Sequence, residues 1–549
     1  MKIHSPDRPM PSRRIGLGLV FVLLFLLGLT IGNRHWVGDT IAKLPSAATV
    51  RGWMQQSAEL PLLTIDMPFA NYNLLLEKRT AAFATGAVLS TPADFVNADI
   101  RLTQNGQTSA IPVRLRLRQG PADWLVEGGK WAFDGQTRQN TVLLGLQQFS
   151  LQDPATNGWL NQWLFTESLA EAGILAARQQ FVQLVFNGEA KGIYALQTQW
   201  DMAALAAQGR EPGAVVGFDT ARLWLARGQF DGDWAAALAD PVARVSLDDY
   251  RLLEVATERD PSLVQDEVLT AQFEGAVGRL RQMQQGEIAP SAVFEAAQYG
   301  AFLAQVDLWG AMGAVSLLNA QFFADPTTGQ MEPIAGNGSP LADPEARIEP
   351  LHFFNDPQIA AAYVQTAVSL TDPAYVDQLE ATYGVAWAQL NKAVAAEVTL
   401  EPPWAALRQR QELLRRTLEP VEPVLAYLGP LSAMAEGVVE IELANRLTLP
   451  QELVGFQFGE SLFLPMEQAW VQDGEGVGEN GRFLLHATPP NSFPHYLRVR
   501  VPLTALQNAN PPLNDLRSFD LFVVTRLVGL ENGRLLSLVR PGVSVEPGQ

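Results

Sequence analysis

At 549 residues the chain exceeds the roughly 250–300 residues over which one hydrophobic core keeps growing, so two or more domains are expected. Its formal charge of −19 disfavours nucleic-acid binding, and the absence of cysteine removes thiol catalysis, zinc–thiolate sites, iron–sulfur clusters and disulfides. With 47% apolar residues there is ample core material, and chemistry falls to carboxylates, hydroxyls, five histidines or six lysines.

Residues 15–32 read IGLGLVFVLLFLLGLTIG, an uncharged run that at ~1.5 Å per residue nearly spans the ~30 Å hydrocarbon layer. A transmembrane helix is predicted over 15–33. The preceding residues 1–14 carry Lys2, Arg8, Arg13 and Arg14, which places the N-terminus in the cytoplasm and the bulk of the chain outside it. No good cleavage site follows at Thr30–Arg34, so an uncleaved single-pass anchor is expected, with residues 34–60 as a linker.

From Leu60 the pattern becomes β-like: LPLLTIDM, VNADIRLTQ and IPVRLRLRQG. In the last, Val113, Leu115 and Leu117 alternate with Arg114, Arg116 and Arg118, the period of a half-buried strand. Residues 159–173 switch to helical spacing, with Trp159, Trp163, Leu164 and Leu169 on one face. Asn187-Gly188 breaks the next strand as a hairpin. Residues 264–320 and 358–428 read as helical and stop near Gly429-Pro430. Beyond them VVEIELANRL, YLRVRVPL and FDLFVVTRL alternate between turns, which predicts a β-sandwich over 431–549.

Three blocks within residues 60–428 carry a resemblance. They are VRLRLRQGPADWLVEGGKWAF with LQQFSLQDPATNGWLNQWLF, then EAGILAARQQFVQLVFNGEAKGIYALQTQWD, then DLWGAMGAVSLLNAQFFADPTTGQMEPI. In order and wording they resemble the spore-coat protein H (CotH-like) kinase family. The resemblance implies an atypical kinase-like α/β domain over 61–430, which with the transmembrane helix and C-terminal β-sandwich read above makes the expected fold class α+β. It also implies ATP and Mg or Mn as cofactors for Ser/Thr phosphorylation. It puts Lys130 on the nucleotide phosphates, Asp307 in the catalytic position, Asn319 beside the nucleotide and Asn337 at the metal. The plainer readings are a strand-end lysine, a helix-surface acid and a helix-end cap for the first three.

Departures from the family pattern are as telling. Gln197-Thr198-Gln199 stands where acids are usual, residues 311–318 keep only Ser316 as a polar side chain, and Asn337 replaces an acidic metal ligand. A neutral amide is a weak anchor for a hard cation. The RQG and AFDG segments also lack charges usual in the family. Together these changes imply a pseudokinase without cofactor, serving as a binding or scaffolding element of the cell envelope with an envelope protein or glycan as partner. Two alternatives stay open: an active ATP- and metal-dependent kinase of the CotH type, and a non-kinase envelope-assembly or glycan-binding protein.

Other constellations read as structural. His4, His35, His352, His486 and His495 lack metal-ligand spacing, and neither a GxSxG elbow nor a phosphate-binding GxxxxGK[ST] loop occurs. The FDGDW turn with Asp231 and Asp233 is too short for a calcium loop. Arg408, Arg410, Arg415 and Arg416 read as a helix surface paired with Glu412, and Trp159, Trp163 and Trp200 as core.

Overall fold

The structure is a computed structural model that describes residues 59–541, except 127, 222–223, 226–254, 256–265, 317–318, 349–355, 430–435, 460–461, 468–469, 471–482, 489–492 and 510–519. The predicted anchor at 15–33, most of the linker, His4, His35, Asp231, Asp233 and His352 lie outside the described residues. Among the described residues no helix is long and apolar enough to cross a membrane.

The alternation in Gln107–Leu117 puts Ile111, Val113, Leu115 and Leu117 inside and leaves Arg114 outside. The same alternation recurs along Val96–Gln104, and the two pair antiparallel across the Asn105-Gly106 turn. Phe133–Thr137, Gln148–Gln152, Glu189–Thr198 and Gln179–Phe186 extend the sheet. Gln179–Phe186 then pairs parallel with Leu62–Asp66, which pairs with Val96–Gln104, so seven strands close into a barrel. Closure leaves no free edge, and Leu63, Ile65, Leu115, Phe133, Phe149 and Val182 fill the interior. Gly135 is required there, because any Cβ at that position would collide with the Phe149 ring. Asn187 and Gly188, at φ 48° and 82°, form the tight turn their sequence predicts.

Helix Leu160–Glu171 buries more than its apolar stripe: Gln162, Thr166, Glu167 and Ser168 are buried as well. It precedes a four-stranded sheet ordered Val215–Gly217, Gln321–Ala324, Met331–Ala335, Leu175–Ala176. Helices Ala296–Trp309, Pro357–Leu370, Pro373–Val394 and Trp404–Leu418 pack together nearby. Asp356 and Asp372 cap the second and third of these by accepting backbone N–H groups at their starts. The last ends at Leu418, so the expected helical run to 428 is wrong at its end, where Val424–Leu428 is a strand.

The expected fold class is overturned at two points. In place of a kinase-like α/β domain there is a mixed α/β structure built on a closed seven-stranded barrel. In place of a two-sheet sandwich, the C-terminal strands form one eight-stranded sheet, a half-barrel. The physical reason for both is pairing over long sequence separations. Alternation identifies a half-buried strand but not its neighbour, and the barrel closes through Leu63↔Leu184. Likewise Val424–Leu428 runs parallel to Leu535–Arg540 through Ala426↔Val539, joining what would otherwise be two sheets. One core containing Ile441, Phe456, Val499 and Val523 then serves the whole half-barrel.

Leu115 is fully buried in the barrel. Leu115→Ala should lower unfolding free energy by about 2–5 kcal/mol in urea denaturation, whereas Ser109→Ala on the exposed end of the same strand should change it by under about 0.5 kcal/mol.

Candidate functional site

Lys130 lies just before strand Phe133–Thr137, and its ammonium is fully engaged. It donates to the Ile193 carbonyl (2.8 Å) and to Glu397 Oε2 (2.5 Å), and sits 3.6 Å from Asp153 Oδ1. Trp159 and Tyr194 face it with ring centroids at 5.6 and 5.8 Å. Glu397 follows the end of helix Pro373–Val394, and its other oxygen accepts the Ile193 N–H at 2.6 Å. The neighbouring Gly192 has φ 82°, and a Cβ there would strike the Glu397 carboxylate. Burial, together with the negative charges of Asp153 and Glu397, pushes the Tyr194 phenol well above its ordinary range.

Asp307 is equally occupied, in the helical core. Arg347 grips it with two hydrogen bonds of 2.9 Å, the Tyr363 hydroxyl donates to it at 2.6 Å, and the Ile348 N–H does so at 3.3 Å. Arg410, expected on a helix surface, is instead buried, which is a correction. Its guanidinium lies 3.6 Å from the Asp307 carboxylate and donates to the carbonyls of Leu308 (3.2 Å), Pro344 (2.8 Å) and Asp307. These two arginines answer differently to one carboxylate. Burial opposes the charge of both, but the paired hydrogen bonds from Arg347 to Asp307 outweigh it and raise that guanidinium's pKa. Arg410 has no such direct pair, so burial wins and its pKa falls. Burial, then the Asp307 charge, raises the Tyr363 phenol far above its ordinary value. Asp307 is thus neither a surface acid nor open to a substrate hydroxyl.

Asn319 and Asn337 do meet. Asn319 donates both side-chain N–H protons to carbonyls, those of Gly313 (3.0 Å) and Asn337 (3.2 Å), and so ties two loops together rather than capping a helix. Asn337 belongs to a closed ring of three amides. Gln197 Nε2 donates to Asn337 Oδ1 (2.9 Å), Asn337 Nδ2 to Gln152 Oε1 (3.3 Å), and Gln152 Nε2 to Gln197 Oε1 (2.6 Å). A further bond from Gln197 Nε2 to the Ala177 carbonyl (3.2 Å) fixes the sense of the ring, because a carbonyl can only accept. Gln152 and Gln197 come from paired barrel strands through Leu196↔Leu151 and its neighbours, while Asn337 follows strand Met331–Ala335.

A cavity of about 290 Å³ opens beside this ring. Gln197, Gln199, Trp200, Phe218, Asn319 and Asn337 line it, with Arg118 as the one charged residue among the described residues of the lining. Arg118 lies 3.2 Å from Asp134, a carboxylate it shares with Arg116. A second cavity of about 200 Å³ holds Lys130, Asp153 and the third ring member, Gln152. The structure therefore brings Asn319 and Asn337 together, places Lys130 on a neighbouring cavity, and keeps Asp307 out of both.

ATP with a divalent metal does not fit this donor set. Asn337 Oδ1 already accepts from Gln197, and more distantly from Gln152 (3.4 Å), and the Lys130 ammonium is matched by carboxylates. No group of three or more His, Asp or Glu residues that could hold a metal ion occurs among the described residues. Comparison of the chain with protein-family models and with curated proteins finds no match.

Sequence reasoning singled out Gln197 only as a departure, and it missed Gln152, Glu397 and Arg347. Nothing local marks these; Glu397 is 267 residues from Lys130.

Two stability effects are expected. Asp307→Asn leaves Arg410 and Arg347 without their anion and should cost about 3–5 kcal/mol in chemical denaturation, where an acid used only for catalysis would cost little. Asn337→Asp removes the donor that faces Gln152 Oε1 and should cost about 1–3 kcal/mol at neutral pH, read from the same denaturation midpoint.

Proposed function

We propose that the chain is a non-catalytic binding or scaffolding element of the cell envelope, a degenerate relative of the CotH-like kinases. It is held to the membrane by residues 15–33, with its bulk on the extracytoplasmic side. The observation that carries this reading is the fate of Lys130. A phosphate-facing lysine can keep one carboxylate partner and still meet a nucleotide, but this one, besides Glu397 at 2.5 Å, also donates to the Ile193 carbonyl at 2.8 Å and faces a second carboxylate, Asp153, at 3.6 Å. Admitting a nucleotide phosphate would place its negative charge beside those of Glu397 and Asp153 in a partly desolvated site.

The remaining positions support the same reading. Asp307 balances two arginines in the helical core, and Asn319 and Asn337 hold loops and barrel strands together. Their roles are structural, so none of them supplies the charge that phosphoryl transfer needs. The acidic chain makes nucleic acid an unsuitable partner, which leaves an envelope protein or a glycan.

Calorimetric titration of the full chain with ATP, with and without magnesium or manganese, tests the proposal. No metal-dependent binding is expected, and Lys130→Ala should lower the melting temperature by releasing Glu397. Metal-dependent ATP binding that Lys130→Ala abolishes would reverse the conclusion.

A further inference from the structure

We propose that the amide-lined cavity seats one sugar residue of a neutral oligosaccharide. The inference builds on the non-catalytic binding role above and names the chemical class of its ligand.

A sugar hydroxyl both donates and accepts, so its natural partners are groups that offer one of each. Asn319 donates both N–H protons to backbone carbonyls, which fixes Oδ1 as an acceptor with no hydrogen bond among the described residues. Asn337 gives one N–H to Gln152 and keeps its second. The Gln199 side chain makes no hydrogen bond among the described residues and lines the same cavity. An acceptor, a donor and a complete amide are therefore available among the residues that line the cavity.

The charge balance selects against phosphate. Phosphate oxygens, which mainly accept, would leave Asn319 Oδ1 facing another acceptor. The cation among the described residues of the lining, Arg118, already shares the Asp134 carboxylate with Arg116. Among the described residues no carboxylate lines the cavity, so none of them offers a divalent ion an anionic ligand there.

Aromatic residues supply the other half of sugar recognition, a flat apolar face for ring C–H groups. Trp200 is half-buried, packed against the cluster of Leu175, Leu205, Phe323 and Ile334, and its position is thereby fixed before any ligand arrives. Phe218, largely buried, lines the same cavity. The volume of about 290 Å³ is at the small end of ligand sites, which suits one seated ring with the rest of the chain extending past the exposed Gln321.

Saturation-transfer NMR on the full chain in a sugar-free detergent, with chitotriose, cellotriose and maltotriose as probes, decides the matter. At least one trisaccharide should bind saturably. Gln199→Ala should weaken it about tenfold at an unchanged melting temperature, and Trp200→Leu at least as much. Silence with all three sugars, or binding that both variants leave intact, would overturn the proposal. If ATP also stays silent in the calorimetry, only the ligand class falls and the non-catalytic role stands. If ATP with magnesium displaces the bound sugar, both fall.

Discussion

The ring formed by Gln152, Gln197 and Asn337 is the interaction on which the centre of the molecule depends. It joins two barrel strands to the loop that leaves the four-stranded sheet, in a place where two of its members are nearly inaccessible to solvent. Buried amides are costly unless their polar atoms are paired, and a ring in which every member donates to the next satisfies one donor and the acceptor of each without water. Its sense is not arbitrary. The Ala177 carbonyl orients Gln197, and that choice propagates to the other two side chains. Asn319 then braces the same loop through the Asn337 carbonyl.

Charge is handled differently in this fold: it is placed at the joints between layers and balanced there. Glu397 reaches from the end of a long helix to the barrel hairpin, where it meets Lys130 and the Ile193 N–H together. Asp307 collects Arg347 and Tyr363 directly and faces Arg410, each from a different part of the helical region. A buried ion pair adds little net stability over an apolar replacement, but removing one partner is severe. Such joints fix how helices and barrel dock more than they raise stability. They also engage two residues suited to chemistry, a lysine and an aspartate, in ion pairs.

The sequence conveys its local periodicities well and its long-range pairings poorly. Val96–Gln104 is a strand over the very residues of the VNADIRLTQ run, and Asn187-Gly188 turns where it should, because period and turn chemistry are properties of a few neighbours. Barrel closure through Leu62–Asp66 and Gln179–Phe186 depends on pairing across more than one hundred residues, for which alternation carries no address. The parallel contact of Val424–Leu428 with Leu535–Arg540, which turns a supposed sandwich into a half-barrel, is hidden for the same reason. Of the site, the pairing of Asn319 with Asn337 was within reach, since both were singled out by the same resemblance. The location of Asp307 was not. Its partners Arg347 and Arg410 lie 40 and 103 residues away and carry no motif.

The departures at Gln197 and Asn337 have a different meaning once the ring is known. Viewed as losses, they remove the carboxylates a metal would need. Viewed together with Gln152, they are a matched set, because a carboxylate at any one position could not donate to the next and would break the cycle. Neutrality at this centre is thus a condition of its packing as well as the reason it disfavours phosphate. The cavity beside it inherits the same character, with fixed amide dipoles and aromatic faces where an enzyme would concentrate charge. The geometry that closes the core is also the geometry that sets which ligands the surface beside it can hold.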